Sequence, residues 1–218
     1  IDAQTSYWDM VNDHGGIDGK QVEFVILDNG YDVPLHLERY EAMRDEDSGV
    51  VFLSQSTGSP HTAAIAEALV EDGLGAIPLS WYSGWPDPAF GQNVFESYTN
   101  YCYEAMNGVD WLASNVVEGD TKLAVISYPG EYGQDGATGA KMAAEALGIE
   151  VVYDGEGAAI PGADQTPVIA GLVESGANLV WATVGPGVFA EIFGGAAAQG
   201  FMPVWSGNSP TYNYVLLA

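Results

Sequence analysis

Residues 122 to 153, KLAVISYPGEYGQDGATGAKMAAEALGIEVVY, give the first indication of the fold. The run 122–128 is short and almost continuously apolar, as in strands that are covered on both faces. A helical pattern follows at 136–147, and a second short apolar run lies at 149–153. We therefore predict two parallel strands joined by a helix, because parallel strands need a crossover of about a dozen residues or more.

The same alternation extends in both directions along the chain. Further strands are predicted at 22–28, 50–54, 75–80, 178–184 and 202–206. Further helices are predicted at 3–14, 35–44, 100–117, 166–173 and 188–199. Another is predicted to begin at the Ser59-Pro60 pair, with Ser59 at the N-cap and Pro60 as the first helical residue. The predicted fold class is α/β, with two Rossmann-like lobes built on parallel sheets. The pattern restarts near residue 98, so the predicted domains are a first lobe at 1–98 and a second at 99–218.

Composition excludes several classes of protein. The chain has 218 residues with 30 acidic and 5 basic side chains, for a net charge of -25. Nucleic acids and anionic membranes both require Lys and Arg, so neither is expected as a partner. No apolar run approaches the roughly 18 to 20 residues that span a bilayer. Cys102 is the single cysteine, so no internal disulfide exists.

One glycine motif raises the possibility of an enzyme. Gly185-x-Gly187-x-x-Ala190 follows a predicted strand and opens a predicted helix, as in dinucleotide-binding proteins. Against this, no acidic residue stands about 20 positions further on. Pro186 also removes a backbone donor from the turn. An NAD(P)-dependent oxidoreductase is therefore the alternative, and we expect no cofactor.

Other catalytic or metal sites find little support. The chain has no G-x-S-x-G motif, and its three histidines lack the spacing of metal ligands. DEDSG (45–49) has the acids of a calcium loop, but Gly49 replaces an oxygen ligand and the closing Glu would fall at Ser56. We predict no metal site and no enzymatic activity.

In open parallel sheets, ligands bind beyond the carboxyl ends of the strands. The segments that follow the predicted strands are rich in hydroxyls, amides and rings: SQSTGS (54–59), SWYSGW (80–85), YPGEYG (128–133), VGPG (184–187) and SGNS (206–209). Such groups hold a polar solute through hydrogen bonds and stacking without transforming it.

Several motifs resemble a known family. VNDHGGIDGKQVEFVILDNGYDV (11–33) resembles the N-terminal signature of the leucine/isoleucine/valine-binding proteins, the type I periplasmic solute receptors of branched-chain amino-acid transporters. EYGQDG (131–136) resembles the Tyr-Gly turn of the family's second lobe, and PGADQTPVIAGLVESGANLVW (161–181) resembles its helix-strand unit. Together these motifs cover most of the chain.

The resemblance implies two hinged lobes that close on a small polar solute and deliver it to an ABC permease. It also implies an extracytoplasmic protein, at the periplasm or cell surface, and we expect a monomer. Family members begin with a strand before the first helix and return to the first lobe at the end. Neither part is found here, so both lobes are expected to be partial. The ligand-sensing domain of a receptor with the same fold is a second alternative.

Position by position, the resemblance implies a set of ligand-binding residues, to which Trp81 is added from the aromatic loop. They are Ser56, Thr57, Ser59, Ser80, Trp81, Tyr82, Tyr132, Gly185 and Asn208.

Two features of this set depart from amino-acid receptors. Asn208 stands where such receptors place an acid against the ammonium, which weakens charge-assisted recognition and favours another ligand. The aromatic loop is also unusually rich. In that loop we expect Tyr82 to contact the solute and Trp85 to pack against the end of the sheet, and both roles stay open for Trp81.

Overall fold

The structure is a computed structural model, and it describes residues 2–44 and 49–213. Its helices are α1 (Asp2–Asp13), α2 (Val33–Met43), α3 (Ser59–Glu71), α4 (Tyr101–Asn115), α5 (Glu131–Leu147), α6 (Thr166–Ser175) and α7 (Pro186–Ala198). Its strands are β1 (Phe52–Thr57), β2 (Gly75–Leu79), β3 (Lys122–Ser127), β4 (Glu150–Gly155), β5 (Leu179–Thr183) and β6 (Val204–Gly207). A 3-10 turn, Ser209–Thr211, follows β6.

The strands form two sheets, and every pairing within them is parallel. One sheet has the order β1-β2, and the other has the order β4-β3-β5-β6. The predicted α/β class with parallel sheets is confirmed. Because the chain leaves every strand of a parallel sheet at the same edge, the predicted ligand residues are brought to the carboxyl edges of the two sheets.

The four-stranded sheet is covered on both faces. Leu123 and Val125 of β3 pack with α4 and α5, whereas Ala124 and Ile126 pack with α6 and α7. Successive side chains of a strand point to opposite faces, so an uninterrupted apolar run supplies two cores at once. This explains why KLAVISY is apolar without alternation.

Helices α4 and α5 approach each other closely at a glycine. A methyl group placed on Gly139 would lie 2.1 Å from the backbone oxygen of Cys102. This approach fixes the first turn of α4, and therefore Tyr101, against the helix that carries Tyr132.

The predicted strand at 22–28 is wrong. None of residues 21–29 is in a strand, and Val25 and Ile26 remain 48% and 46% exposed. A strand exists only through a ladder partner, and no described residue supplies one here. Instead, the side chain of Asn12 accepts from Val22 N at 2.7 Å and donates to Val22 O at 2.8 Å. This segment and β1 line an open groove of about 1220 Å³.

Three predicted boundaries near the site also move. Strand β1 continues to Thr57, so Ser56 and Thr57 belong to the strand and not to the loop. Helix α3 starts at Ser59 with Gly58 at its N-cap, because φ of +99° at that residue suits only glycine. Helix α5 starts at Glu131, so EYGQDG forms its first turns.

The close approach of α4 and α5 can be tested by adding one methyl group. Gly139→Ala should lower the free energy of unfolding by about 1–3 kcal/mol, the usual cost of overpacking a well-packed core. Gly194→Ala, inside α7 with nothing within 4 Å of the new methyl, should raise it by about 1 kcal/mol, because alanine is the better helix former. Chemical denaturation measures both, and equal stabilisation of the two variants would show that α4 and α5 do not touch at Gly139.

Candidate functional site

The segments that follow the carboxyl ends of the two sheets contact each other, and we call the region where they meet the cleft. At its centre the N-termini of α3 and α5 meet, because a methyl group on Gly130 would lie 4.0 Å from Cβ of Pro60. The ring of Tyr31, which precedes α2, lies 6.5 Å from the ring of Tyr128, which follows β3. Residues from both sheets therefore line one site.

Two serines form the floor of the cleft on the side of β2. The hydroxyls of Ser59 and Ser80 lie 2.6 Å apart, and both residues are buried. The indole of Trp85 donates to Ser80 Oγ at 3.1 Å. Burial raises the pKa of Tyr101, whereas the Trp81 backbone and the hydroxyls of Ser59 and Ser80 act to lower it. The structure thus brings these predicted ligand residues together beside a phenol from α4.

Ser56 and Thr57 make a separate set of contacts. Ser56 Oγ lies 2.8 Å from Thr62 Oγ1 and 3.2 Å from His36 Nε2, within the buried region under α3. Thr57 Oγ1 accepts from Gln55 Nε2 at 3.1 Å. Thr57 lines the groove of about 1220 Å³, which includes no other residue of the predicted ligand set. A direct solute contact for Ser56 or Thr57 stays a prediction.

The aromatic loop is largely a packed scaffold. Trp85 is 1% exposed and stacks on Phe90 with ring centroids 5.5 Å apart, in agreement with its expected packing role. Tyr82 lies edge-on to Trp85 at 5.3 Å and remains half-buried. Trp81 packs edge-on against Tyr101 at 5.9 Å and is also half-buried. Trp81 and Tyr82 thus keep ring surface that a solute can reach.

An acid of α5 ties this loop to the other side of the cleft. Asp135 accepts from the backbone N–H of Ser83 at 3.0 Å and from that of Cys102 at 3.2 Å, and the Ser83 hydroxyl also donates to it. Burial raises the pKa of Asp135, and these three donors oppose that shift. The loop position therefore depends on α5 as well as on β2.

Tyrosines form the wall on the side of the four-stranded sheet. The ring of Tyr132 lies 4.7 Å from that of Tyr101 and 6.0 Å from that of Tyr128, and its hydroxyl donates to Val184 O at 3.2 Å. Burial raises the pKa of all three phenols, so they are neutral hydrogen-bonding groups at ordinary pH. A methyl group on Gly185 would lie 2.8 Å from the Tyr128 hydroxyl. The absence of a side chain at Gly185 therefore leaves room for this hydroxyl.

Asn208 uses all of its hydrogen-bonding capacity within the protein. Its Oδ1 accepts from Trp181 Nε1 at 3.2 Å and from Thr183 Oγ1 at 2.7 Å. Its Nδ2 donates to Tyr101 O at 3.0 Å and to Glu104 Oε2 at 2.8 Å. An amide has two donors and two acceptor sites, so none is left over. Contact with a solute stays a prediction, and it would require one of these bonds to open.

Sequence reasoning missed Tyr31 and His61, whose ring centroids lie 4.6 Å apart. His61 is 2% exposed, and a hydrogen bond with the Tyr31 backbone acts on its ring against the effect of burial. Burial lowers the pKa of His61 and raises that of Tyr31 to about 12, so both are neutral at pH 7. Both residues could have been found from the sequence, because Tyr31 lies inside the motif at 11–33 and His61 directly follows the Ser59-Pro60 pair.

The basic side chains of the chain lie away from the cleft. Arg39 pairs with Glu38, Arg44 with Asp72, and Lys141 with both Asp154 and Glu156. Lys122 begins β3, at the opposite end from Tyr128, and Lys20 lies in the turn that it closes with Ile17. The cleft therefore offers neutral donors and helix N-termini in place of cationic side chains.

Two absences hold for residues 2–44 and 49–213. No group of three or more His, Cys, Asp and Glu side chains in these ranges could hold a metal ion. Within the same ranges, no helix has the length and apolar character needed to cross a membrane. Four residues of the DEDSG segment, 45–48, lie outside the described residues.

The sequence itself matches a family model. The model of the periplasmic binding proteins matches residues 2–214, which is nearly the whole chain. The chain belongs to the periplasmic binding protein family. Both the predicted resemblance and the predicted absence of enzymatic activity are confirmed, since this is a family of binding proteins. The glycines at 185 and 187 thus belong to the strand–helix turn of a binding protein.

Solved structures of other periplasmic binding proteins share the fold. A fatty acid ABC transporter substrate-binding protein from Thermomonospora curvata is similar with a TM-score of 0.88 and 27% identity, over 99% of this chain and 54% of that one. A branched-chain amino acid ABC transporter protein from Thermus thermophilus with bound valine is similar with a TM-score of 0.80 and 20% identity, over 97% and 54%. This chain thus spans little more than half the length of these relatives. The search of curated proteins found no match.

The role of Asn208 can be tested with an isosteric acid. Asn208→Asp replaces the two amide donors with a carboxylate beside Glu104, so we expect a loss of about 3 kcal/mol in unfolding free energy at pH 7. The buried acid should have a raised pKa in the folded state. The loss relative to the unchanged protein should therefore be small at low pH and should grow as the pH rises through that pKa.

The matched control is Asn107→Asp on the exposed face of α4, where the same substitution should change stability by no more than about 0.5 kcal/mol. Denaturation at several pH values measures both variants. If Asn208→Asp were as stable as Asn107→Asp at pH 7, the amide would not join β5, β6 and α4 as described.

Proposed function

We propose that this chain is part of an extracytoplasmic solute-binding receptor of an ABC importer, and that the cleft holds a small organic solute. The observation that carries the proposal is the meeting of the N-termini of α3 and α5 between the carboxyl edges of two parallel sheets. Open α/β sheets bind ligands at this position. The lining of hydroxyls and rings supports recognition of a solute without chemical change.

The names of the relatives support a transport role and widen the range of solutes. One relative is named for fatty acids and another holds valine. We propose an amino-acid-like or related organic solute, which the receptor delivers to a membrane permease as a monomer. Closure would be a population shift that the solute drives by touching both sides of the cleft.

The division into lobes near residue 98 is part of this proposal. The chain leaves the two-stranded sheet at Leu79 and enters the four-stranded sheet through α4, which begins at Tyr101. Residues between these points would act as one of the hinges. Ser83 and Trp81 already contact α5 and α4, so the proposed hinge connects parts that touch when the cleft is closed.

Mass spectrometry of the small molecule that co-purifies with the whole protein tests this function. Adding that molecule back at about 100 times its Kd should stabilise the protein by about 2.7 kcal/mol, and X-ray scattering should show compaction. NAD or NADP at millimolar concentration should leave the melting temperature unchanged. The absence of any co-purifying solute, together with an unchanged radius of gyration, would contradict the proposal.

Tyr82 and Trp85 give a matched pair of substitutions in one loop. Trp85→Ala removes a fully buried ring and should cost about 3–5 kcal/mol of stability. Tyr82→Ala should cost less stability, because the ring is half-buried, but should weaken solute binding by about 1–3 kcal/mol. Calorimetric titration and thermal melting separate the two effects. Unchanged affinity in Tyr82→Ala would make Tyr82 part of the scaffold only.

A further inference from the structure

Asp135 of α5 accepts hydrogen bonds from two other parts of the chain. Its Oδ2 accepts from the backbone N–H of Ser83, in the aromatic loop, at 3.0 Å, and from that of Cys102, in the first turn of α4, at 3.2 Å. The Ser83 hydroxyl donates to the other oxygen, Oδ1. Asp135 is only 7% exposed. One buried carboxyl group therefore attaches the loop that carries Trp81 and Tyr82 to α5.

The titratable groups around Asp135 are acids, phenols and a thiol. Glu131 lies one turn earlier on α5, where its charge and that of Asp135 both act on Tyr82 of the loop. The charge of Asp135 also helps to raise the pKa of Glu96, in the segment that leads to α4, and that of Cys102 in α4. Among the described residues, no basic side chain acts on the pKa of Asp135. A negative charge at this place is therefore not compensated by a cation.

Glu96 adds a second partly buried acid to these surroundings. Its Oε1 is buried and has no hydrogen-bond partner among the described residues. Burial raises the pKa of Glu96, and the charge of Asp135 raises it further. Two nearby carboxyl groups out of water disfavour the state in which both are ionised. The contact between the loop and α5 thus favours uptake of a proton.

The positions of the donors allow Asp135 to become neutral without losing a hydrogen bond. Both N–H groups, which can only donate, are bound by Oδ2. Oδ1 is bound to the Ser83 hydroxyl, and a hydroxyl can accept as well as donate. A proton on Oδ1 can therefore be donated to Ser83 Oγ, while Oδ2 keeps both N–H groups. Protonation removes a buried charge and leaves the contact between the loop and α5 intact.

The effect of pH on this contact follows from the environment of Asp135 with the loop attached. Burial raises the pKa of Asp135, and the donors at Ser83 and Cys102 oppose that shift only in part. Release of the loop returns the carboxyl group to water, so its pKa falls toward the ordinary range. Attachment of the loop therefore takes up a proton. By linkage, the attached arrangement is most stable in acid and loses stability as the pH rises through the raised pKa.

We propose that Asp135 is a proton-sensitive latch, which holds the aromatic loop on α5 more firmly in mildly acidic than in neutral solution. Because this loop carries Trp81 and Tyr82, release of the latch alters the lining of the cleft. That consequence for solute binding rests on the proposed function, whereas the contact itself can be measured without a solute. Asp135 is not among the ligand-binding residues that the family resemblance implies.

Amide hydrogen exchange on the whole protein that contains this chain measures the latch, because Asp135 accepts from the N–H of Ser83. The exchange rate is divided by the intrinsic rate at each pH. We expect the Ser83 N–H to be about three- to tenfold better protected at pH 4.5 than at pH 7.5. The N–H of Tyr103, which the Asn100 side chain accepts at 2.8 Å, is the reference and should not change. Equal protection of Ser83 at both pH values, or an equal change at Tyr103, would overturn the proposal.

Substitutions separate the role of the proton from that of the contact. Asp135→Asn imitates the neutral acid, because its amide oxygen can replace Oδ2 and its amide nitrogen can donate to Ser83 Oγ. In this variant the N–H at position 83 should be protected at both pH values as strongly as in the unchanged protein at pH 4.5. A variant Asp135→Asn that retained the full pH dependence would contradict the latch.

Ser83 supplies the complementary variants. Ser83→Ala removes the acceptor for the proton on Oδ1 and should reduce the pH dependence, whereas Ser83→Thr keeps the hydroxyl and should restore it. Asp110→Asn, on the exposed face of α4, is the matched control and should behave as the unchanged protein does. If Ser83→Ala kept the full pH dependence, or if Asp110→Asn lost it, Asp135 and its hydroxyl partner would not be the responding groups.

A measurement on the unchanged protein covers the case in which the variants do not fold. Carbon NMR of the assigned Asp135 carboxyl group should show a pKa above the ordinary range of aspartate. Titration within that range or below it would rule out the latch. The proposed function fails separately, through the absence of a co-purifying solute and of compaction, whatever the pH dependence of the loop.

Discussion

The shape of the cleft depends on the hydrogen bonds of one buried amide. Asn208 accepts from Trp181 and Thr183 of β5 and donates to Tyr101 and Glu104 of α4. The backbone N–H of Tyr101 donates in turn to Trp81 O at 2.8 Å, so the aromatic loop after β2 is attached to the same helix start. Because each unmet bond of a buried amide costs about 1–3 kcal/mol, this network sets where α4 can lie.

The cleft has no basic side chain among the described residues, and the carboxylates of Glu131 and Asp135 lie near it. With a net charge of -25, the protein repels an anion at long range, but physiological salt screens this field over about 8 Å. Inside the cleft, burial keeps the phenols of Tyr101, Tyr128 and Tyr132 neutral, and Asp135 is occupied by backbone donors. Under the proposed function, short-range donors at the helix starts would select the bound group, and the overall charge would act on the rate of approach.

The sequence predicted those parts of the fold that depend on local pattern. The run at 122–128 became β3 because a strand covered on both faces must be apolar throughout. The run at 22–28 is also mainly apolar, yet it forms no strand because a strand also needs a partner, which composition does not reveal. The candidate site was likewise predictable only where it depends on local pattern and topology. The convergence of the strand ends was predictable from topology, whereas the internal bonds of Asn208 and the packing of His61 against Tyr31 depend on contacts between residues far apart in sequence.

The uncapped helix starts connect the proposed binding to the proposed closure. The starts of α3 and α5 lie close together, since a methyl group on Gly130 would lie 4.0 Å from Cβ of Pro60. Neither start has a side-chain cap, so its first N–H groups depend on water or on a solute for acceptors. Under the proposed function, a solute that supplies acceptors to both starts would bind best when they are close together. Its differential affinity for that arrangement would then shift the population toward closure.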